Sequence, residues 1–286
     1  MTPLRKQMIS AMRQRGLSDR TCQCYLYAVT HLAQYFHRSP DTLKPEDIQA
    51  FFVYLVQQKH LAHASCRLHL NALRFLYLQV LHWQRFDIPV VFPKPAQKIP
   101  ELLTRREVSA IIAACNNPKH RMMLLTCYGG GLRVSELVAL KVRHIDGERQ
   151  LLRIEQGKGA KDRMVALGEG LLQALRRYWH RLHPTLWLFP SATYPDRALG
   201  VSSIQRAYQR AKVRAGVDKR GGIHALRHAY ATHQLENGLA VHRLQHQLGH
   251  RHLTTTLRYV HWVDSYSSGQ DTFSDLVTDL EVDHVE

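Results

Sequence analysis

Two arginines, two histidines and a late tyrosine are the residues of this chain best suited to act together on one bond. In the stretch HALRHAYATHQLENGLAVHRLQHQLGHRHLTTTLRY, His224 and Arg227 stand three residues apart and share a face if the stretch is helical. His250 follows a Leu-Gly step, and Tyr259 comes nine residues later. An earlier phrase, GLRVSEL, supplies Arg133 and Glu136, also three apart. Guanidinium groups offer paired, planar, permanently charged donors to the non-bridging oxygens of a phosphodiester, which a lysine cannot imitate. Glu136, one turn after Arg133, can orient that guanidinium, although an ordinary surface pair would look the same. A free tyrosine has a pKa of about 10, so roughly one phenol in a thousand is ionised at neutral pH. Activating Tyr259 as a nucleophile therefore demands on the order of 4 kcal/mol from a nearby base and cationic neighbours. His224 can accept and return protons near neutrality. Lys158, at the tip of a Gly-Lys-Gly turn, can protonate a departing 5′ oxygen. Singly, each has a bland reading: a solvated arginine, a packing tyrosine. The ensemble carries the argument.

The elements that must position these groups fall into two blocks. Residues 1–86 read as all-helical. Cys22, Tyr25, Leu26, Val29, Ala33 and Phe36 recur at helical spacing behind Ser18 as an N-cap. Pro45 suits a first helical turn before Ile48, Phe51, Phe52 and Leu55, and a third segment carries Leu70, Leu73, Tyr77 and Val80. Aromatics at that spacing read as core rather than as base-stacking platforms. Residues 87–100, DIPVVFPKPAQKIP, hold four of the eleven prolines and read as a linker. Beyond it, Thr104 with Glu107 forms a capping box, a second helix starts at Pro118 and ends near Gly129-Gly130-Gly131, and Arg133 opens a third. LLRIEQGKGAKDRMVAL reads as two short strands around its turn, followed by helices at 169–182, 201–215 and 223–237. The expected fold is mainly α with a small antiparallel β-sheet in the C-terminal domain: a helical N-terminal domain (1–86), a linker (87–100), a mixed α+β catalytic domain (101–262) and an acidic tail (263–286). In that tail Phe273, Leu276, Val277 and Leu280 sit at i, i+3, i+4 and i+7, predicting an amphipathic helix capped by Asp271 or Thr272.

Charge narrows the class of partner. The 286 residues carry a formal net charge of +16. All 39 lysines and arginines precede residue 260, whereas seven of the 23 acidic residues follow it. A surplus of that size favours a polyanion, most simply nucleic acid, over a merely basic surface. There is no run of about 18 apolar residues and no signal-like apolar core at the N-terminus, so a cytoplasmic, membrane-free protein is expected. The five cysteines show no CxxC pair and read as reduced thiols.

The ensemble resembles the tyrosine recombinase (phage integrase) family. GLRVSEL, GKGAKDR, HALRH, LGHRH and TTLRYVH occur in the family's order, and the 23 residues from Arg227 to His250 match its interval. The resemblance is specific over 104–261; over the N-terminal domain it rests on size, helicity and the linker. It implies Arg133, Lys158, His224, Arg227 and His250 as the activating set, Tyr259 as nucleophile and Glu136 in support. It further implies a Xer-like two-domain enzyme that clamps double-stranded DNA recombination sites, with four protomers assembling on two sites and weak association when free. Strand exchange would run through a 3′-phosphotyrosine without ATP, cofactor or metal, and the tail helix would dock on a neighbouring protomer. The triple glycine before Leu132 and the histidine-rich run around His250 depart from the family pattern, but neither removes a needed group.

Three other readings compete. A zinc site is conceivable with 19 histidines, since His242, His246 and His250 fall at i, i+4 and i+8, yet HExxH is missing and no carboxylate or cysteine stands at ligand spacing. An architectural DNA-binding protein would not require the full set of reactive residue types. A topoisomerase-like nicking and resealing enzyme would use the same chemistry and differ in assembly.

Overall fold

The computed structural model describes residues 1–90, 92, 101–155, 162–263, 273–278 and 280. Lys158, most of the proline-rich linker and much of the acidic tail, with Asp271 and Thr272, lie outside the described residues. The chain divides into two compact units, Met1–Lys98 and Ile99–Glu286. No described helix is long and apolar enough to cross a membrane.

The first unit is helical: α1 (Pro3–Gln14), α2 (Asp19–Phe36), α3 (Pro45–Gln57) and α4 (His63–Phe75), the last running into a π-helical turn at Leu76–Val80. Local chemistry sets the starts. The hydroxyls of Thr2 and Ser18 accept from the amides of Arg5 and Thr21, and Pro3 and Pro45 occupy first turns where no intrahelical amide is needed. The stripe Ile48, Phe51, Phe52 and Leu55 is buried against Met8, Met12, Leu32, Leu73 and Tyr77. The Tyr77 hydroxyl, buried with the rest, donates to the Pro40 carbonyl at 2.7 Å.

The second unit holds α5 (Arg105–Ala113), α6 (Pro118–Gly129), α7 (Val134–Val138), β1 (Ile145–Asp146), β2 (Leu151–Ile154), β3 (Arg163–Ala166), α8 (Glu169–Leu182), α9 (Val201–Arg214), α10 (His224–Glu236), α11 (Val241–Leu248) and α12 (Leu253–Val260). Thr104 and Glu107 make the reciprocal capping box of α5. The antiparallel sheet runs β1-β2-β3, with Leu152 opposite Val165, both buried, and Ile154 opposite Arg163. The architecture is thus mainly helical with one small antiparallel sheet; two-residue β1 is the strand that periodicity did not resolve.

Helix α10 is the axis of this unit. Leu226, Ala229, Tyr230, Ala231 and Leu235 are buried on it. His233 fixes its seat: Nε2 donates to the Leu103 carbonyl at 3.0 Å, so Nδ1 is left to accept from the Tyr128 hydroxyl at 2.8 Å. The triple glycine has a steric cause. Gly131 has φ +57°, and a Cβ there would lie 2.4 Å from the Tyr230 ring. Only glycine lets the chain turn against α10 at that point.

The tail differs from the helix expected. Residues 273–275 are irregular and 276–278 form a turn. Leu276, Val277 and Leu280 are buried in the core of their own unit. Gln234 pairs with Ser274 through both amide groups, donating to its carbonyl at 2.6 Å and accepting from its N–H at 3.1 Å. Asp275 accepts from the Gly170 amide at 2.6 Å and from the Val277 amide at 3.1 Å, so its carboxylate caps the N-terminal end of α8 and the short turn at 276–278 together. Side chains at 3/4 spacing were read as one helix face; here the polar groups between them are drawn into α8 and α10 instead.

Candidate active site

The arginines are organised by one carboxylate and one helix end. Arg133 is the N-cap residue of α7 and Glu136 its third residue. Glu136 accepts from the Arg133 amide at 2.9 Å and from its guanidinium at 2.6 Å. Its oxygens also take two parallel bonds from Arg163, at 2.8 Å each, and one lies 3.7 Å from Arg227. Burial alone would raise this carboxyl, but hydrogen bonds and charge from Arg163, then Arg133, outweigh it and bring Glu136 down to about 2. The opposite side of each guanidinium meets the C-terminal end of α11, whose carbonyls have no partner within the helix. Gln247 O accepts from Arg163 at 3.0 Å, Leu248 O from Arg227 at 2.6 Å and Gly249 O from Arg133 at 3.0 Å. Arg227 also donates to Gly131 O at 2.8 Å. Three consecutive carbonyls thus align three guanidinium groups, at the helix end where the backbone dipole favours cations. Burial first, then repulsion from Arg133, lowers Arg227 to about 10, so it stays charged at neutrality.

The histidines and the tyrosine meet these arginines. His224 opens α10 with one side open to solvent; partial desolvation of its ring, then Arg227 and Arg133, lowers the imidazole. Gly249 ends α11 in the left-handed conformation, φ +61°, which takes His250 off the helix face of His242 and His246. The zinc reading required those three on one face. His250 lies parallel to the Tyr259 ring, 6.2 Å between centroids, and its Nδ1 bonds the Thr256 hydroxyl at 2.9 Å. Burial, with the three arginines behind it, brings His250 to about 4. Tyr259, on α12, is only 4 % exposed. Burial raises its phenol, while Arg227 and Arg133 pull the other way. Its hydroxyl bonds His228 Nδ1 at 2.9 Å.

Arg133, Glu136, Arg227, His250 and Tyr259 are thus linked by direct bonds, ring contact or charge, His224 feels the charge of both arginines, and Lys158 lies outside the described residues. Sequence reasoning missed two participants. Arg163 ends the phrase GKGAKDR, in which only Lys158 was read, and His228 directly follows Arg227 in HALRH. The available hint for each was its place inside a motif already singled out, since neither residue type stands out in so basic a chain.

Comparison with known proteins follows the same division of the chain. The Phage integrase family model matches residues 101–265, and the model of its N-terminal SAM-like domain matches residues 4–85. A putative integrase/recombinase, y4qK, from Sinorhizobium fredii is 40% identical over 265 residues, spanning 91% of this chain and 84% of that protein. The tyrosine recombinase XerD of Yersinia pestis is 32% identical over 281 residues, covering 91% and 92%. Among solved structures, the XerA recombinase is similar at 28% identity and TM-score 0.54, over 92% of this chain and 94% of that one. A lambda integrase dimer bound to a COC′ core site shares the fold at TM-score 0.73 and 18% identity, over 95% and 78%.

Proposed function

Because the chain belongs to the phage integrase family and is a tyrosine-type site-specific recombinase, we propose that it cuts and rejoins double-stranded DNA through a 3′-phosphotyrosine at Tyr259, without metal or ATP. The observation that carries this reading is the pair Arg133 and Arg227, both held on the end of α11 and both close enough for their charge to act on the buried Tyr259 phenol. Each guanidinium has five N–H donors, and protein acceptors take only some of them, so donors are left for a phosphate. Arg133, Arg227, His224 and His250 hold the non-bridging oxygens as charge gathers there, and Glu136 keeps the arginines in place. Lys158 delivers a proton to the departing 5′ oxygen. The phosphotyrosine conserves bond energy, and the partner strand's 5′-hydroxyl reverses the step, so strands are exchanged at no chemical cost. Four protomers on two sites complete the reaction, and in that assembly the acidic tail leaves the seat it fills on its own unit for the same seat on a neighbour.

Sequencing DNA adducts trapped in cells identifies the site. A nicked duplex of that site then traps the enzyme, because the cleaved strand's short end diffuses away. The wild type forms a denaturation-resistant adduct. Tyr259→Phe forms none and binds the same DNA with nearly unchanged affinity, since many cations supply binding and one hydroxyl supplies chemistry. Adducts persisting in the Phe variant would remove Tyr259 from its role.

A further inference from the structure

We propose that His228 is a catalytic residue, the base that takes the proton from Tyr259 when the phenol attacks and returns it when the phosphotyrosine is resolved. The inference rests on the reading of Tyr259 as nucleophile and adds the group that activates it.

Three observations carry it. His228 is the imidazole in direct contact with the reacting oxygen, Nδ1 to hydroxyl 2.9 Å. The neighbouring histidine, His250, turns its Nδ1 to Thr256 instead. The contact is also built rather than incidental. His228 sits on α10 one residue after Arg227, so the helix that anchors a phosphate-binding arginine also fixes the base. Trp262 closes the other side, edge-on to His228 at 6.3 Å and to Tyr259 at 5.2 Å. The proton states agree with the geometry. Burial, then His224 and Arg227, hold the imidazole at about 4, so it is neutral and has a free lone pair. Burial keeps the phenol protonated. The phenol is therefore the donor and Nδ1 the acceptor, which places the His228 proton on Nε2.

The step balances. As the Tyr259 oxygen bonds to phosphorus, its O–H bond breaks and the proton passes to His228 Nδ1. The bond from phosphorus to the 5′ oxygen breaks, and that oxygen takes a proton from Lys158. In the second step the incoming 5′-hydroxyl returns a proton to Lys158 and attacks phosphorus. Tyr259 leaves and recovers its own proton from His228. The scissile phosphate helps, because its negative charge offsets the His224 and Arg227 field that adds to burial in holding His228 neutral in the free protein.

The test is single-turnover cleavage of the nicked duplex described above by full-length protein. His228→Gln, which keeps a hydrogen-bond acceptor but cannot take a proton, should cleave about a hundredfold more slowly. Replacing Tyr259 with 3,5-difluorotyrosine, a more acidic phenol, should narrow that gap about tenfold, since a phenol that ionises readily needs less of a base. His228→Phe, with thermal melting of each variant, separates misfolding from lost chemistry. Cleavage by His228→Gln within about twofold of wild type would overturn the proposal. So would a slow but folded variant that fluorination fails to rescue, which would mark a packing role. In either case Tyr259→Phe still forms no adduct, so failure here is distinct from failure of the recombinase reading.

Discussion

Glu136 shows how much of this site rests on a single side chain. Its carboxyl titrates near 2 in the fold against about 4.3 in an unfolded chain, so the stability it lends is complete above the unfolded value and is lost as pH falls through about 2. Glu136→Gln leaves Arg133, Arg163 and Arg227 facing one another without a counter-charge. The expected cost is about 3–5 kcal/mol, read as a melting temperature lower by on the order of 10 °C, with cleavage lost alongside. A variant melting like the wild type would show the carboxylate to be dispensable. At this scale Arg133, Glu136, His224, Arg227, His250 and Tyr259 were marked by spacings that chemistry explains. Arg163 and His228 were not, because in so basic a chain another cation or imidazole carries no mark of its own. What distinguishes His228 is a turn of about 100° from Arg227 around α10, and its meaning depends on where α12 packs.

Among the elements, the end of α11 does the most positioning. Gly249 adopts φ +61°, and a Cβ there would meet the Arg163 side chain at 2.9 Å. Gly249→Ala should therefore destabilise the protein by about 1–3 kcal/mol and slow cleavage further by displacing the carbonyls that align the arginines. Thermal melting and adduct formation measure the two effects separately. The helix starts were readable because Ser18, Pro45, Thr104 and Pro118 act locally, through their own side chains. The tail was not readable in the same way, because Asp275 and Gln234 act across 105 and 40 residues respectively. Deleting residues 271–286 uncovers the seat of Leu276, Val277 and Leu280. The truncated protein should melt at a lower temperature, bind single sites as before and assemble poorly on paired sites in native gels. Full assembly and strand exchange by it would rule out a tail shared between protomers.

For the molecule as a whole, the charge pattern and the two-unit division were both visible in composition, since prolines and acidic residues cluster at 87–100 and beyond 260. Cleavage should survive excess EDTA if, as proposed, arginines and Lys158 fill the roles that a metal-dependent nuclease gives to its ions; activity lost to EDTA and restored by zinc or magnesium would reverse that reading. The order of the parts along the chain has a consequence for protein synthesis. Translation delivers the N-terminal end first, at about 5–20 residues per second. Both arginine-bearing motifs and all 39 lysines and arginines leave the ribosome before Tyr259, while the carbonyls of Gln247, Leu248 and Gly249 precede it by only 10 to 12 residues. A chain interrupted before that point keeps the basic surface that grips a polyanion but lacks both the alignment and the hydroxyl needed to break it. Termination before Gln247 should therefore yield an obstacle on DNA rather than a loose nuclease.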